Sequence, residues 1–419
     1  MTPIDAIALQ EVLGYASTNA KQVLEKLSDV SEFYNLSESE LMRLGFTKIQ
    51  AKKAKEATLL PECKRIEDLC RKKYVKIIPY GEKEYPKSLM NIFSPPVVLY
   101  VIGTLPDFDN TVSVTIVGPR KISEYGRKSA FSLAARISLS GAVTVSGGAI
   151  GGDSAAHIGS MAVGGVTVAI LGAGVLANYL KTNKQLREDI VKHGGALISE
   201  FVPDFEPRGK YAFPLRNRIM ASISNAIAVV EAPIKSGTII TANAALEAGH
   251  EVYAVPGRPD TPECAGSNKL ISDGAHLLTS PEEILAPYSD KISLFKMGDI
   301  SKSELMKLYL KTFGEETEKP ENKPKKSIDK NVKKSKKKTV AVTDGEKETA
   351  VAPTVPDNGS LSPELKKVYD AVTDNGITAD ELSEILDIGI AELLSSLMIL
   401  EIRGFVRSDF GNKYSKTFN

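Results

Sequence analysis

Two stretches of this chain gather groups able to hold an anion. Residues 144–157 read TVSGGAIGGDSAAH, an apolar run followed by four glycines within six residues, an acid and a histidine. Glycines after a strand let backbone N–H groups approach a phosphate, because no side chain intervenes. Ser146, Gly147 and Gly148 form such a cradle, with Asp153 placed to cap the next helix and His157 placed as a packed core histidine. Residues 210–221, KYAFPLRNRIMA, set Lys210, Arg216 and Arg218 around an aromatic ring, Phe213, and an amide, Asn217. Ammonium and guanidinium groups supply phosphate contacts, and a ring beside them offers a stacking surface for an unpaired base. Arg216 and Arg218 also have an internal alternative, pairing with Glu200, Glu231 or Glu247. VGPR brings Arg120 to the end of another apolar run. Ser236, Gly237 and Thr238 follow a further one, either lining the same cleft or capping the helix after them.

Other chemistries lack their residues. GAGVLA at 172–177 matches G-x-G-x-x-[GA], but the acid that would hold a ribose about 20 residues on is missing. No Lys-Ser/Thr ends either glycine loop, so ATP hydrolysis has no P-loop. Three cysteines without CxxC spacing and four scattered histidines give no metal constellation. The expectation is therefore no cofactor and no metal. A net charge of +1 leaves any basic surface local. Neither a signal peptide nor a bilayer-spanning apolar run is seen, which points to the cytoplasm and to no membrane partner.

The elements that must position these groups follow from periodicity. Residues 1–74 read as helices. Among them, LSESELMRLGFTKIQAKKAKEA places a Gly45-Phe46 turn between two amphipathic helices, the first opened by a Ser37–Glu40 capping box. This suits a helix-hairpin-helix (SAM-like) DNA-binding module or a bundle used for packing. Across residues 75–290 short β-branched runs (TVSVTIVG, AVTVSGG, VTVAILGAG, ALISE, NAIAVVEA, HEVYAVPG, AHLLTS) alternate with helical stretches. That is the α/β pattern of a parallel-rich sheet covered on both faces, whose ligands bind beyond the carboxyl ends of the strands. The anion-holding groups then fall on successive loops of one sheet edge. Residues 291–358, lysine-rich and polar, read as a charged flexible linker. Residues 359–419 read as a winged helix with a turn at Gly411-Asn412. Its longer helix carries few cations, which leaves protein binding and DNA reading equally open.

The ordered blocks resemble one family, DNA-processing protein A (DprA, or Smf). VGPRKISEYG, SGGAIGGDSAAH, FPLRNRIMASIS, VVEA, SGTIITA, AVPG and GSNKLISDGA are similar to its motifs in order and spacing, from about Ile77 to Leu285. The resemblance implies an extended Rossmann-like domain that holds single-stranded DNA without strong sequence preference. It also implies no catalysis, a homodimer, and loading of the RecA recombinase in natural transformation. Pocket roles carry over most directly to Arg120, Lys210, Phe213 and Arg216. Departures stand at Pro119, Gly152, Leu176 and Leu180, where the family usually has a small residue, Ile or Leu, an acid and proline. Two alternatives remain: a nucleotide phosphoribohydrolase, for which APIKSGTIITANAALEAG supplies SGT and Glu247 but not the paired glycines, and a duplex-binding regulator using the winged helix.

Overall fold

The computed structural model describes residues 1–27, 30–179, 181–207 and 211–314, then 363–373, 376–386 and shorter stretches up to 417. They fall into two units, 1–321 and 322–419, each taken by itself below.

The first unit opens with five helices: α1 (Pro3–Leu13), α2 (Ala20–Lys26), α3 (Glu38–Leu44), α4 (Lys48–Lys53) and α5 (Leu59–Lys72). The capping box at Ser37 and Glu40 starts α3, and a second one, Thr47 with Gln50, starts α4. Between them Gly45 has φ 111°, a conformation that disfavours any β-carbon. Phe46 then turns inward with Phe33, Leu41 and Ala51 into a core that continues through Cys63 and Cys70 of α5 to Val98 and Tyr100 of the sheet. These helices are thus packed onto the sheet. All three cysteines are free and buried, and burial pushes the Cys63 and Cys70 thiols up to about 12.

The sheet has nine strands: β1 (Lys76–Pro79), β2 (Val98–Gly103), β3 (Ser113–Val117), β4 (Val143–Ser146), β5 (Thr167–Ile170), β6 (Ala196–Ser199), β7 (Ala226–Val229), β8 (Glu251–Ala254) and β9 (His276–Leu277), in the order β1-β2-β6-β5-β4-β3-β7-β8-β9. From β6 to β9 every pairing is parallel, while β2 joins β6 and β1 joins β2 antiparallel. Strands β3, β4, β5, β6 and β7 are buried at every residue, as a sheet covered on both faces requires. The covering helices are α6 (Lys87–Met90), α7 (Glu124–Leu139), α8 (Gly152–Ala162), α9 (Lys184–Lys192), α10 (Ala212–Ile223), α11 (Gly237–Glu247), α12 (Ala265–Ser272) and α13 (Pro281–Leu285).

Residues 291–314 depart from the linker expectation. Ser301 and Glu304 form a capping box for α14 (Lys302–Phe313), which buries Leu305 and Tyr309 against Phe131 and Ala135 of α7. A capped helix with an apolar face has a partner to pack on, which composition alone did not reveal. The lysine-rich remainder, 315–358, lies outside the described residues.

The second unit contains α15 (Pro363–Ala371), β10 (Ile377–Thr378), α16 (Ala379–Leu386) and an antiparallel wing, β11 (Val406–Asp409) with β12 (Lys413–Lys416). Its core joins Val368, Leu382, Leu393, Leu397 and Phe405. This is a winged helix. Gly411, Asn412 and most of the longer helix lie outside the described residues.

Candidate nucleic-acid interface

The chain runs β3, β4, β5, β6 to one side and then returns to place β7, β8 and β9 on the other. The crevice at that reversal, beyond the carboxyl ends of β3 and β7, is where such sheets take ligands. Arg120 lies on the β3 side, on an exposed loop. That loop is fastened from across the reversal: Glu231 accepts from the backbone N–H of Ser123 at 3.0 Å and from its hydroxyl. Ser123 in turn caps α7.

The loops after β3 and β4 touch. Gly152 N–H donates to the Pro119 carbonyl at 3.1 Å, and a β-carbon on Gly151, whose φ is 88°, would stand 2.2 Å from the same oxygen. A β-carbon on Gly152 would meet Gly118 Cα at 2.6 Å. The departures at Pro119 and Gly152 therefore meet at one contact, where two backbones lie too close for a side chain. Leu176 donates its N–H to the Pro203 carbonyl at 2.8 Å. Leu180 lies outside the described residues.

Phe213, Arg216, Asn217 and Arg218 sit on a helix, α10, where the sequence reading had a loop. Proline at its third residue is accommodated in the first turn, where N–H groups have no intrahelical acceptor. The helix carries Phe213 to the Arg120 loop: the Arg120 guanidinium lies over the ring, 5.0 Å from its centre. Tyr179 flanks the same ring at 5.7 Å.

Arg216 lies one turn deeper and is buried. Its Nη1 donates to the Gly147 carbonyl at 2.7 Å and to the Ile170 carbonyl, and its Nε to Asn217 Oδ1 at 3.1 Å. Gly147 must be glycine here, since a β-carbon would sit 2.1 Å from that Nη1. Burial drives the Arg216 guanidinium down from its ordinary range, and the Asp153 carboxylate beside it works against the shift. Burial raises Asp153, with Arg216 and the Ala149 N–H pulling it back. Asp153 is thus the counter-ion of Arg216. The expected cap is not made: Gly151 stands at the N-cap of α8, where no side chain bonds, and Asp153 accepts from Ala149 N–H at 3.3 Å. His157 is a core histidine as expected, its Nδ1 2.7 Å from Thr167 Oγ1.

A cavity of about 20 Å³, room for one water, lies behind Phe213. Gly147, Gly148, Gly172, Tyr179 and Arg216 line it, and so does Arg187 of α9. Sequence reasoning missed Arg187. The available signal was an arginine three residues before Ile190 on the buried face of an amphipathic helix. Burial lowers the Arg187 pKa, against the pull of Glu188.

Arg120, Gly147, Gly148, Phe213 and Arg216 therefore converge, with Asn217 behind Arg216. The other expected residues serve the fold. Ser146 is fully buried and donates its hydroxyl to the Ile116 carbonyl at 2.6 Å. Arg218 pairs with fully buried Glu200, one of the internal partners open to it from sequence. Ser236 caps α11 by accepting from Ile239 N–H at 3.4 Å, Gly237 is its first residue, and Thr238 is buried. Lys210 lies outside the described residues. Glu247 is exposed at the far end of α11, about 15 Å from Gly237 at 1.5 Å per residue. It is no partner for the SGT loop, as a phosphoribohydrolase would need. Among the described residues no cluster of three His, Cys, Asp or Glu is poised for a metal, and no helix is long and apolar enough to cross a membrane.

Comparison with known proteins adds the family. The model for DNA recombination-mediator protein A matches residues 76–289, and that for the DprA winged helix domain matches residues 352–412. The chain belongs to the DNA recombination-mediator protein A family. Within it, the chain is 37% identical to the DNA processing protein DprA of Bacillus subtilis over 54% of this chain and 75% of that one. It is 32% identical to protein Smf of Synechocystis over 80% and 78% of the two chains. The crystal structure of DNA processing protein A from Streptococcus pneumoniae superposes with a TM-score of 0.56 at 30% identity, covering 68% of this chain and 98% of that one.

Proposed function

We propose that this protein holds single-stranded DNA along the carboxyl edge of its sheet, as a binding protein without catalysis that processes DNA in recombination. The observation carrying the reading is the Arg120 guanidinium over the Phe213 ring, 5.0 Å away, at the mouth of a glycine-lined pocket. A cation on an aromatic face beside free backbone is what a strand with unpaired bases can use: phosphate on the cation, base on the ring. Neither group reads a base edge, so binding is tolerant of sequence. Lys210, two residues before α10, adds a phosphate contact, and Arg216 sets the floor from within. Family membership supports the wider role: a homodimer that loads RecA onto incoming strands in natural transformation, in the cytoplasm.

The test is anisotropy of a labelled oligo-dT titrated with the full chain. Stacking is worth about 1–3 kcal/mol per base, so Phe213→Ala should weaken binding by about fivefold or more. Arg120→Ala combined with Lys210→Ala should remove most binding, with the unfolding transition unchanged because Arg120 is exposed. Wild-type affinity in that double variant would overturn the assignment of the pocket.

A further inference from the structure

The start of α10 carries a second aromatic ring toward solvent. Tyr211 stands at the N-cap with helical backbone angles, φ −64° and ψ −31°, two residues before Phe213. At 3.6 residues per turn the two side chains leave the helix about 200° apart, on opposite flanks of its first turn. Phe213 goes to Arg120 and Tyr179, 5.0 and 5.7 Å away, on the loops after β3 and β5. Tyr211 goes to Phe205, on the loop after β6, with the ring centres 6.4 Å apart and the planes at 77°.

Tyr211 is 51% exposed, yet the ring behind it is built into the fold. Phe205 stacks on Phe201 at 4.7 Å and 10°, Phe201 is fully buried, and Tyr15, just after α1, packs on both at 5.8 and 4.6 Å. The loop is also pinned to its neighbour after β5. Gly174 N–H donates to the Phe205 carbonyl at 2.8 Å, and a β-carbon on Gly174 would stand 2.2 Å from the Pro203 carbonyl oxygen. Both carboxylates of this loop are engaged, Asp204 with Arg65 at 3.0 Å and Glu206 with Asn178 N–H at 3.3 Å. A lone exposed tyrosine is ordinary. This one repeats the arrangement of Phe213, a ring on the carboxyl edge with a second ring behind it, on a backing that cannot drift.

We propose that Tyr211 is a second base platform: a strand with one base at Phe213 crosses the first turn of α10 and stacks another base on Tyr211. Resting on the single-strand reading, this extends the site from one base to a track. A helix with its side chains is about 10–12 Å across, so about three nucleotides at roughly 3.4 Å per stacked step join the platforms. Stacking accepts any base, because every base has a π-face. A duplex presents base edges in its grooves and keeps the faces inside, so it can use neither ring.

The chain has no tryptophan, so Tyr211→Trp places a single reporter in the full-length protein. Oligo-dT should quench its emission through base stacking, and an abasic oligonucleotide of equal length should not. Tyr74→Trp, at a position 91% exposed beyond the amino end of β1, should stay unquenched by both. Tyr211→Ala should weaken oligo-dT binding by about fivefold or more, the loss of one stacked base. Its affinity for the abasic strand and its unfolding transition should match wild type, and Tyr211→Phe should bind oligo-dT as wild type does. Unquenched emission from Tyr211→Trp, or wild-type oligo-dT affinity in Tyr211→Ala, would overturn the proposal. Where Phe213→Ala still weakens binding, that result leaves the single-strand reading standing; absence of oligo-dT binding by wild type would strike both. Equal loss on the abasic strand would make Tyr211 a support for its loop, and loss of self-association in Tyr211→Ala would assign it to a second copy; either outcome sinks the second platform.

Discussion

At the residue scale, the polar groups beneath the glycine loop are arranged to keep one charge in place. Arg216 spends Nη1 and Nε on two carbonyls and an amide, so it acts as scaffold as much as ligand. His157 sits nearby, fully buried, with its Nε2 unpartnered. Burial, aided by the Arg216 charge, lowers its pKa from 6.5 to about 3. The folded state therefore refuses a proton that the unfolded chain accepts. The resulting stability is present above pH 6.5 and is lost as pH falls toward 3, at about 1.4 kcal/mol per pH unit. Urea unfolding of wild type and His157→Gln should show the variant's stability changing less over that window. Asp153 and Glu200, whose pKa values are raised, contribute with the opposite sign in both proteins and cancel in the difference. Parallel pH profiles would show that His157 protonates in the folded state.

At the element scale, α10 carries Phe213 of the proposed interface and the buried-pair residue Arg218 on one rod, and the Arg218–Glu200 pair ties that rod to the end of β6. The tie is imperfect, because Glu200 Oε1 and Arg218 Nε and Nη1 have no hydrogen-bond partner. Removing one member of a buried pair costs about 3–5 kcal/mol, whereas replacing both by apolar groups of like volume is near neutral. Glu200→Ala should thus lower the melting temperature sharply, and Glu200→Leu with Arg218→Met should restore most of it. A double variant as unstable as the single one would mean that the pair contributes more than its charges. Both glycine loops and the strand alternation were legible in the sequence, because β-branched runs and Gly clusters are local signals. The helical character of FPLRNRIMASI was hidden by its proline and by arginines that look solvent-facing until a partner is supplied.

At the scale of the whole molecule, net charge is +1, so attraction to DNA comes from a few placed cations. For single strands each phosphate contact contributes about −0.7 to the slope of log K against log salt. Arg120→Gln should make that slope shallower by about 0.7, Phe213→Ala should weaken binding without changing it, and Arg218→Met combined with Glu200→Leu should leave it alone. A slope change in that double variant would release Arg218 from its structural role. By itself, the sequence determined the α/β class, the sheet edge that carries the loops, the winged helix and the family, since each rests on periodicity or on ordered motifs. Only the tertiary structure decided which cations face outward. Arg120, Arg216 and Arg218 are alike as sequence, yet one lies on an exposed loop over a ring, one is buried against carbonyls and one answers Glu200. Burial and pairing depend on what the fold brings from 18 to 69 residues away, which no local pattern encodes.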